Sequence, residues 1–199
     1  MKKTYSVEEI QTIEKKEFKR LKNSYILMKR AGTNCAKKIH KSKKNKKFIV
    51  LCGPGNNGGD GLVISQVLKK LNQNITLYCL EHKAYKGDAK IAYNKNHLSK
   101  KKYEDLYIPK NSVIIDCLFG IGISRDLRGF YKKIIKKVNN SKQHIISIDI
   151  PSGINGNNGK IMGAAIKANS TYTLHAKKIG LTVNSVSYTH LTLPTNREV

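Results

Sequence analysis

Apolar residues along this chain fall into short continuous runs that alternate with segments of helical period. The run over residues 113–115 is typical of a strand buried on both faces, because no polar side chain interrupts it. Apolar residues three and four positions apart, such as Ile134, Ile135 and Val138, instead indicate one face of a helix. We therefore predict strands over residues 48–52, 75–80, 113–118, 144–150 and 170–174, and helices over residues 61–71, 88–98 and 127–138.

Two more helices are predicted ahead of the first strand. Ser6 and Glu9 have the spacing of a capping box, in which each side chain binds the backbone amide of the other residue. A second stretch carries apolar residues at four-residue steps from Leu27 to Ile39. Strands that alternate with helices imply a parallel sheet covered by helices on both sides. The pattern predicts an α/β fold and, at 199 residues, one main domain.

The charge is strongly positive, with 38 Lys+Arg against 13 Asp+Glu and a formal net charge of +25. Most of these charges are lysines spread through every segment, and no aromatic residues interleave with them as base-stacking platforms. We therefore expect only non-specific binding of nucleic acid. The four cysteines are single and widely spaced, which indicates buried reduced thiols, and neither a signal peptide nor a membrane span is recognisable. A cytoplasmic protein is predicted.

The composition changes near residue 185, where lysine disappears and threonine becomes common. We predict a domain over residues 1–184 and a tail over residues 185–199 that is foreign to the domain or disordered.

Three stretches with candidate chemistry follow predicted strands. They are the glycine loop over residues 53–61, a segment over residues 116–126 that contains a Gly-x-Gly turn, and the segment over residues 149–153. In open α/β sheets, ligands bind beyond the carboxyl ends of the strands. The five glycines of the first stretch are expected to allow positive φ angles and to let a phosphate approach the backbone amides.

The two strand-end carboxylates, Asp116 and Asp149, leave two interpretations open. Each can cap the following loop, or the two can serve as oxygen ligands and acid–base groups. The glycine stretches lack the third glycine of a dinucleotide fingerprint and the Gly-Lys-Ser/Thr of a Walker loop. A general NAD(P)-dependent dehydrogenase is therefore disfavoured.

The three stretches, in this order and spacing, resemble the NAD(P)H-hydrate epimerase family, the YjeF N-terminal domain. The segments over residues 27–32 and 168–181 also resemble it, so that the resemblance covers about residues 5–184. It implies a Rossmann-like three-layer α/β/α sandwich with a mostly parallel sheet, often a homodimer, from which this chain lacks the last strand. The implied activity is that of an isomerase, which interconverts the R and S forms of hydrated NADH or NADPH at C6. A separate or fused ATP- or ADP-dependent dehydratase acts next in this repair.

The resemblance also implies roles for individual residues. One potassium ion per subunit would be held by Asn57, Asp116 and Ser152. Our first candidate for the catalytic acid–base group is Asp149, because it ends a buried strand beside this implied cation. The second is Lys178, for which the alternative is one more surface lysine among many. The residues implied to bind the hydrated dinucleotide are Asn56, Asn57, Gly58, Gly59, Asp60, Gly120, Ile121, Gly122, Ile123, Ser124, Arg125, Asp126 and Asp149. The alternative is a non-catalytic nucleotide- or RNA-binding module of the same fold, which would be expected to lose these acidic and amide side chains.

Overall fold

The computed structural model describes residues 3–21, 23–183 and 191–192. In chain order its elements are β1 (Thr4–Tyr5), α1 (Val7–Leu21), α2 (Ser24–Ser42), β2 (Lys47–Cys52), α3 (Asn56–Lys70), β3 (Asn74–Cys79), α4 (Gly87–Lys95), β4 (Lys100–Lys101), β5 (Ser112–Cys117), α5 (Gly129–Asn140), β6 (His144–Ile148), β7 (Ser170–Tyr172), β8 (Lys177–Lys178), α6 (Gly180–Val183) and β9 (Leu191–Thr192). The predicted strands and helices are present, with bounds that shift by a few residues.

The main sheet has seven strands within the described part of the chain, in the order β4-β3-β2-β5-β6-β7-β9, and all neighbouring strands are parallel. The chain runs outward from β2 to β4 and then returns to the other side of β2 at β5. This reversal places a topological switch point between β2 and β5, where ligands of open α/β sheets bind. β1 and β8 form a separate two-stranded parallel sheet.

Helices cover both faces of the main sheet, which confirms the predicted α/β fold. Along β2, Phe48 and Val50 contribute to one core, which also contains buried residues of α2, α3 and α4. Ile49 and Leu51 point to the other face, where they share a core with buried residues of α5. Alternate residues of a strand point to opposite faces, so the uninterrupted apolar run of β2 is required by two cores rather than one.

The glycine loop differs from its prediction. α3 begins at Asn56 rather than at residue 61, so most of the expected loop is the first turn and a half of a helix. None of its glycines has a positive φ. A Cβ at Gly58 would lie 1.8 Å from the carbonyl oxygen of Gly53, and one at Gly61 would lie 2.8 Å from Cys52 Sγ. Gly53, Gly58, Gly59 and Gly61 are therefore required for close packing around the start of α3, whereas a Cβ at Gly55 would meet no other atom. The expectation of positive φ at these glycines was wrong.

Several smaller predictions can be compared directly with the structure. The capping box is formed, since the amide of Ser6 donates to Glu9 Oε2 at 2.7 Å and the amide of Glu9 donates to Ser6 Oγ at 3.1 Å. All four cysteines are buried and unpaired by disulfides, as expected. Among the described helices, none is long and apolar enough to cross a membrane.

The predicted domain boundary at residue 184 falls at the edge of the described region. Most of the predicted tail, 185–199, lies outside the described residues. Within it, Leu191–Thr192 is a short strand that pairs in parallel with Thr171 and Tyr172 of β7. The boundary itself stays a prediction.

Candidate active site at the carboxyl ends of β2, β5 and β6

The three segments singled out in the sequence meet at one edge of the sheet, because β2, β5 and β6 are neighbours in it. They surround a cavity of about 370 Å³. α1 and α2 form its other wall. The predicted site residues that line it are Asn56, Asn57, Asp60, Gly120, Ile121, Gly122, Ile123 and Asp149.

Asp116 ties β5 to β6 and to the segment that follows β6. Its carboxylate accepts hydrogen bonds from Ser147 Oγ at 2.7 Å, from the Ser152 amide at 2.9 Å and from Ser152 Oγ at 2.6 Å. Burial raises the pKa of Asp116, and the hydrogen bonds from Ser152 and Ser147 oppose that effect. The carboxylate is therefore a buried anchor between β5, β6 and the segment that follows β6.

Asn57 and Ser152 come together through the backbone of Phe119. Asn57 Nδ2 donates to the Phe119 carbonyl at 2.9 Å, and the Phe119 amide donates to Ser152 Oγ at 2.8 Å. The structure thus brings the three predicted cation ligands, Asn57, Asp116 and Ser152, into one connected cluster. Asn57 Oδ1 is buried and has no hydrogen-bond partner. An orphaned buried acceptor is costly, so this oxygen marks a place for a donor or a cation.

The donor set of this cluster consists of amide, carboxylate, hydroxyl and carbonyl oxygens. Such hard oxygen ligands suit alkali and alkaline-earth cations rather than soft transition metals. Within the described residues, no group of three or more His, Cys, Asp or Glu side chains could hold a metal ion. The oxygen ligands present therefore fit a hard alkali or alkaline-earth cation.

Asp149 stands at the end of β6 in a left-handed conformation, with φ of 70°. Its amide donates to the Tyr172 carbonyl at 2.8 Å, which fixes the turn against β7. Its carboxylate forms a buried ion pair with Lys178 and also accepts from the Leu174 amide at 3.3 Å. A Cβ on Gly120 would lie 3.3 Å from Asp149 Oδ2, so glycine at this position keeps the carboxylate open to the cavity.

Lys178 lies behind Asp149 and is not among the residues that line the cavity. Its side chain is fully buried. Besides the ion pair, its ammonium donates to Thr173 Oγ1 at 3.0 Å and to the Leu174 carbonyl at 2.8 Å. A lysine ammonium has three donors, and all three are used by the protein. In this geometry Lys178 holds Asp149 in place rather than reaching a ligand itself.

Asp60 provides a second carboxyl group in the same cavity. It lies in the first turns of α3 and is 7% exposed. Burial raises the pKa of Asp60 well above its ordinary value, the negative charges of Asp149 and Glu14 raise it further, and Lys178 opposes the shift. Burial and the neighbouring negative charges therefore shift the titration of Asp60 towards its neutral form, beside the carboxylate of Asp149 that is paired with Lys178.

The remaining predicted substrate residues lie elsewhere. Gly58 and Gly59 do not line the cavity; a Cβ on Gly59 would lie 2.6 Å from Met28 Cε, so Gly59 permits the contact with α2. Arg125 and Asp126 line a separate, neighbouring cavity. Ser124 lines neither cavity.

No sequence pattern indicated which residues of α1 line the cavity. Gln11, Glu14 and Phe18 line the cavity, as does His175 after β7. Glu14 Oε1 and His175 Nδ1 are 3.1 Å apart, which joins the two walls at the cavity mouth. The capping box at the start of α1 was recognisable, but it does not determine where the helix packs.

Comparison with known proteins relates this fold to one family. The model of the family described as YjeF-related protein N-terminus matches residues 24–180. The NAD(P)H-hydrate epimerase of Elusimicrobium minutum is 37% identical over 172 residues, which are 78% of this chain and 77% of that protein. The NAD(P)H-hydrate epimerase of Lentilactobacillus buchneri is 33% identical over 187 residues, or 91% and 87% of the two chains.

Two further similarities concern a longer relative and a solved structure. The bifunctional NAD(P)H-hydrate repair enzyme Nnr of Thermofilum pendens is 32% identical over 167 residues, which are 78% of this chain but 32% of that protein. The crystal structure of the yeast protein YNL200c has a TM-score of 0.77 at 23% identity, covering 95% of this chain and 88% of the yeast chain, and shares the fold. The chain belongs to the YjeF-related protein N-terminus family, the family of the NAD(P)H-hydrate epimerases.

Proposed function

We propose that the cavity at the carboxyl ends of β2, β5 and β6 epimerises hydrated NADH and NADPH at C6, in the repair of these nucleotides. The observation that carries this proposal is the pair of carboxyl groups in one cavity. Asp149 is paired with the buried ammonium of Lys178, whereas Asp60 has a pKa raised by burial. Two carboxyl groups in unlike environments are suited to act as acid and base.

Epimerisation at C6 requires both an acid and a base. The substrate carries a hydroxyl on C6, next to the ring nitrogen. We infer that Asp60 donates a proton to this hydroxyl, which leaves as water while the nitrogen lone pair forms an iminium. Water then adds to C6 from the opposite face and loses a proton to Asp149. The reverse reaction exchanges the two roles, and proton exchange with solvent restores the starting state. Ring opening to an aldehyde would use the same two groups.

The proposed activity can be tested on the purified protein with the R form of hydrated NADH. We expect the S form to appear faster than in the spontaneous background, as followed by chiral chromatography or NMR. The variant Asp149→Asn serves as the matched control. Conversion at the background rate by the wild-type protein would contradict the proposal.

We further propose that one potassium ion per subunit binds at Asn57, Asp116 and Ser152. The orphaned Asn57 Oδ1 and the oxygen-only donor set support this assignment. A bound potassium ion would supply a fixed positive charge beside the segment that follows β5. The protein's own contribution is to hold the segment after β5, through Asn57 and Ser152 on either side of Phe119.

Potassium binding predicts a stability increase that can be measured without turnover. At a potassium concentration ten times the dissociation constant, linkage stabilises the folded state by about 1.4 kcal/mol. For a chain of this size this corresponds to a rise in Tm of about 3–6 °C. We expect the rise in potassium chloride relative to an equal concentration of tetramethylammonium chloride. Asn57→Ala should lose the rise and Asn56→Ala should keep it; an equal rise in both variants would exclude Asn57 as a ligand.

The remaining sequence-based expectations concern assembly and location. A homodimer, a separate or fused ATP- or ADP-dependent dehydratase that acts next, a cytoplasmic location and non-specific binding of nucleic acid stay predictions. The alternative of a non-catalytic nucleotide- or RNA-binding module is disfavoured, because such a module has no need for Asp60 and Asp149 in one buried cavity.

A further inference from the structure

A second cavity lies beside the first, and the proposed chemistry does not use it. Its volume is about 490 Å³, and it is lined by Phe119, Arg125, Asp126, Leu127, Arg128 and Tyr131. Phe119 lines the first cavity as well. The segment that follows β5 therefore separates two adjoining spaces.

The first cavity is small for a complete dinucleotide. Its volume of about 370 Å³ lies near the lower end of the range of roughly 300–1,000 Å³ for small-molecule sites. Asp60 and Asp149 line it, so it is the space that must receive the nicotinamide ring with its reacting C6. A dinucleotide consists of two nucleotides joined by a pyrophosphate, and its adenosine half must extend beyond this space.

The side chains of the second cavity suit the other half of such a molecule. Within the described part of the chain, no salt bridge joins Arg125 or Arg128 to a carboxylate. A guanidinium group without an acidic partner can bind phosphate oxygens through two parallel hydrogen bonds. Asp126 adds one carboxylate, a group that accepts hydrogen bonds from ribose hydroxyls.

Tyr131 presents an aromatic ring in the same cavity. The ring makes edge-to-face contacts with Phe119, at a centroid distance of 4.7 Å, and with Phe130, at 5.2 Å. These contacts fix the ring in one orientation before a ligand arrives. A fixed aromatic face beside arginine side chains is a common platform for a nucleic acid base.

We propose that the second cavity binds the adenosine diphosphate half of the hydrated dinucleotide, with Arg125 and Arg128 on the pyrophosphate and Tyr131 against the adenine. This proposal rests on the proposed function, since it assigns a position to the part of the substrate that does not react. It extends the binding site beyond the segment 120–126 to Arg128 and Tyr131.

The test compares two substrates that differ only in the adenosine diphosphate half: hydrated NADH and the C6 hydrate of reduced nicotinamide riboside. In the double variant Arg125→Ala/Arg128→Ala, we expect KM for the dinucleotide to rise about tenfold or more, because charge-assisted hydrogen bonds are lost. KM for the riboside, which has no phosphate, should stay within about twofold. Lys132→Ala/Lys133→Ala removes the same charge from exposed positions nearby on α5 and should change neither value.

A second variant and a binding measurement complete the test. Tyr131→Leu keeps apolar bulk against Phe119 and should also raise KM for the dinucleotide alone. ADP should inhibit the wild-type protein competitively and the arginine variant at least about tenfold less. An unchanged KM for the dinucleotide, or an equal rise for both substrates, would overturn the proposal. If the wild-type protein turns over neither substrate, the proposed function fails. Calorimetry of ADP binding then tests the second cavity independently of turnover. ADP binding to the wild-type protein that is lost in the arginine variant supports the proposal. Absence of ADP binding to the wild-type protein overturns it.

Discussion

Replacing Asp149 by Asn should reduce epimerisation by about 10²–10⁴-fold, because the variant has no carboxylate to exchange a proton at C6. The same change should destabilise the fold. It leaves the ammonium of Lys178 buried without a counter-charge, and breaking a buried pair in this way costs about 3–5 kcal/mol. Asparagine tolerates the left-handed backbone at this position, so backbone strain should not add to the loss.

A double variant separates the two effects. Asp149→Asn/Lys178→Met removes both buried charges, and such replacements are often neutral in stability or better. Urea unfolding should therefore show that the double variant recovers much of the stability lost in Asp149→Asn. Its epimerisation rate, measured by chiral chromatography, should stay as low as that of the single variant. Wild-type activity in either variant would exclude Asp149 as the base.

The sheet could be predicted because its strands carry a strong local signal. The central strands β2, β5 and β6 are buried on both faces, so their sequences are almost continuously apolar. The sequence predicted the ends of these strands less accurately. β6 was expected to continue to residue 150 but ends at Ile148, because Asp149 adopts a positive φ that no extended strand allows.

The glycine-rich segment shows that the presence of glycine does not by itself reveal why glycine is required. Glycine can be required by a positive φ or by close approach of another chain segment. Both requirements select glycine, so the sequence alone does not distinguish them. The choice depends on neighbours far along the chain, such as the Leu118 carbonyl, which would lie 1.7 Å from a Cβ at Gly53.

Long-range contacts explain the features that the sequence did not indicate. Glu14 and His175 are 161 positions apart, and nothing local to either residue indicates their pairing. Lys178 is one residue among 38 Lys+Arg, and only the resemblance to a family singled it out. Its burial follows from the position of β8 beside β1, a pair of two-residue strands too short to produce a recognisable pattern.

The variant Asp60→Asn should lose activity and gain stability. Burial raises the pKa of Asp60 well above its usual 3.8, so the folded protein binds this proton more tightly than the unfolded chain does. The contribution of Asp60 to the free energy of unfolding is therefore largest below about pH 3.8. It falls as the pH rises towards the folded-state pKa of this group. Asparagine has no proton to lose. The stability advantage of the variant should therefore grow as the pH rises from about 3.8 towards the folded-state pKa of Asp60.

This stability difference is measured by urea unfolding of both proteins between about pH 4.5 and pH 8. Asp88→Asn is the matched control, since Asp88 also lines the cavity but is only half-buried, and the same substitution there should change stability little. A difference that stays constant with pH would contradict the buried, protonated state of Asp60.

The rate of Asp60→Asn should fall by about 10²-fold or more, since the amide cannot donate the proton that the departing hydroxyl requires. The wild-type rate should decline as the pH rises through the raised pKa of Asp60, and this decline forms the alkaline limb of the profile. The residual rate of the variant should lack that limb. Gain of stability together with loss of the alkaline limb identifies Asp60 as an acid whose burial is costly to the fold but necessary for the reaction. A variant with the wild-type profile would instead assign the proton donation to another group in the cavity.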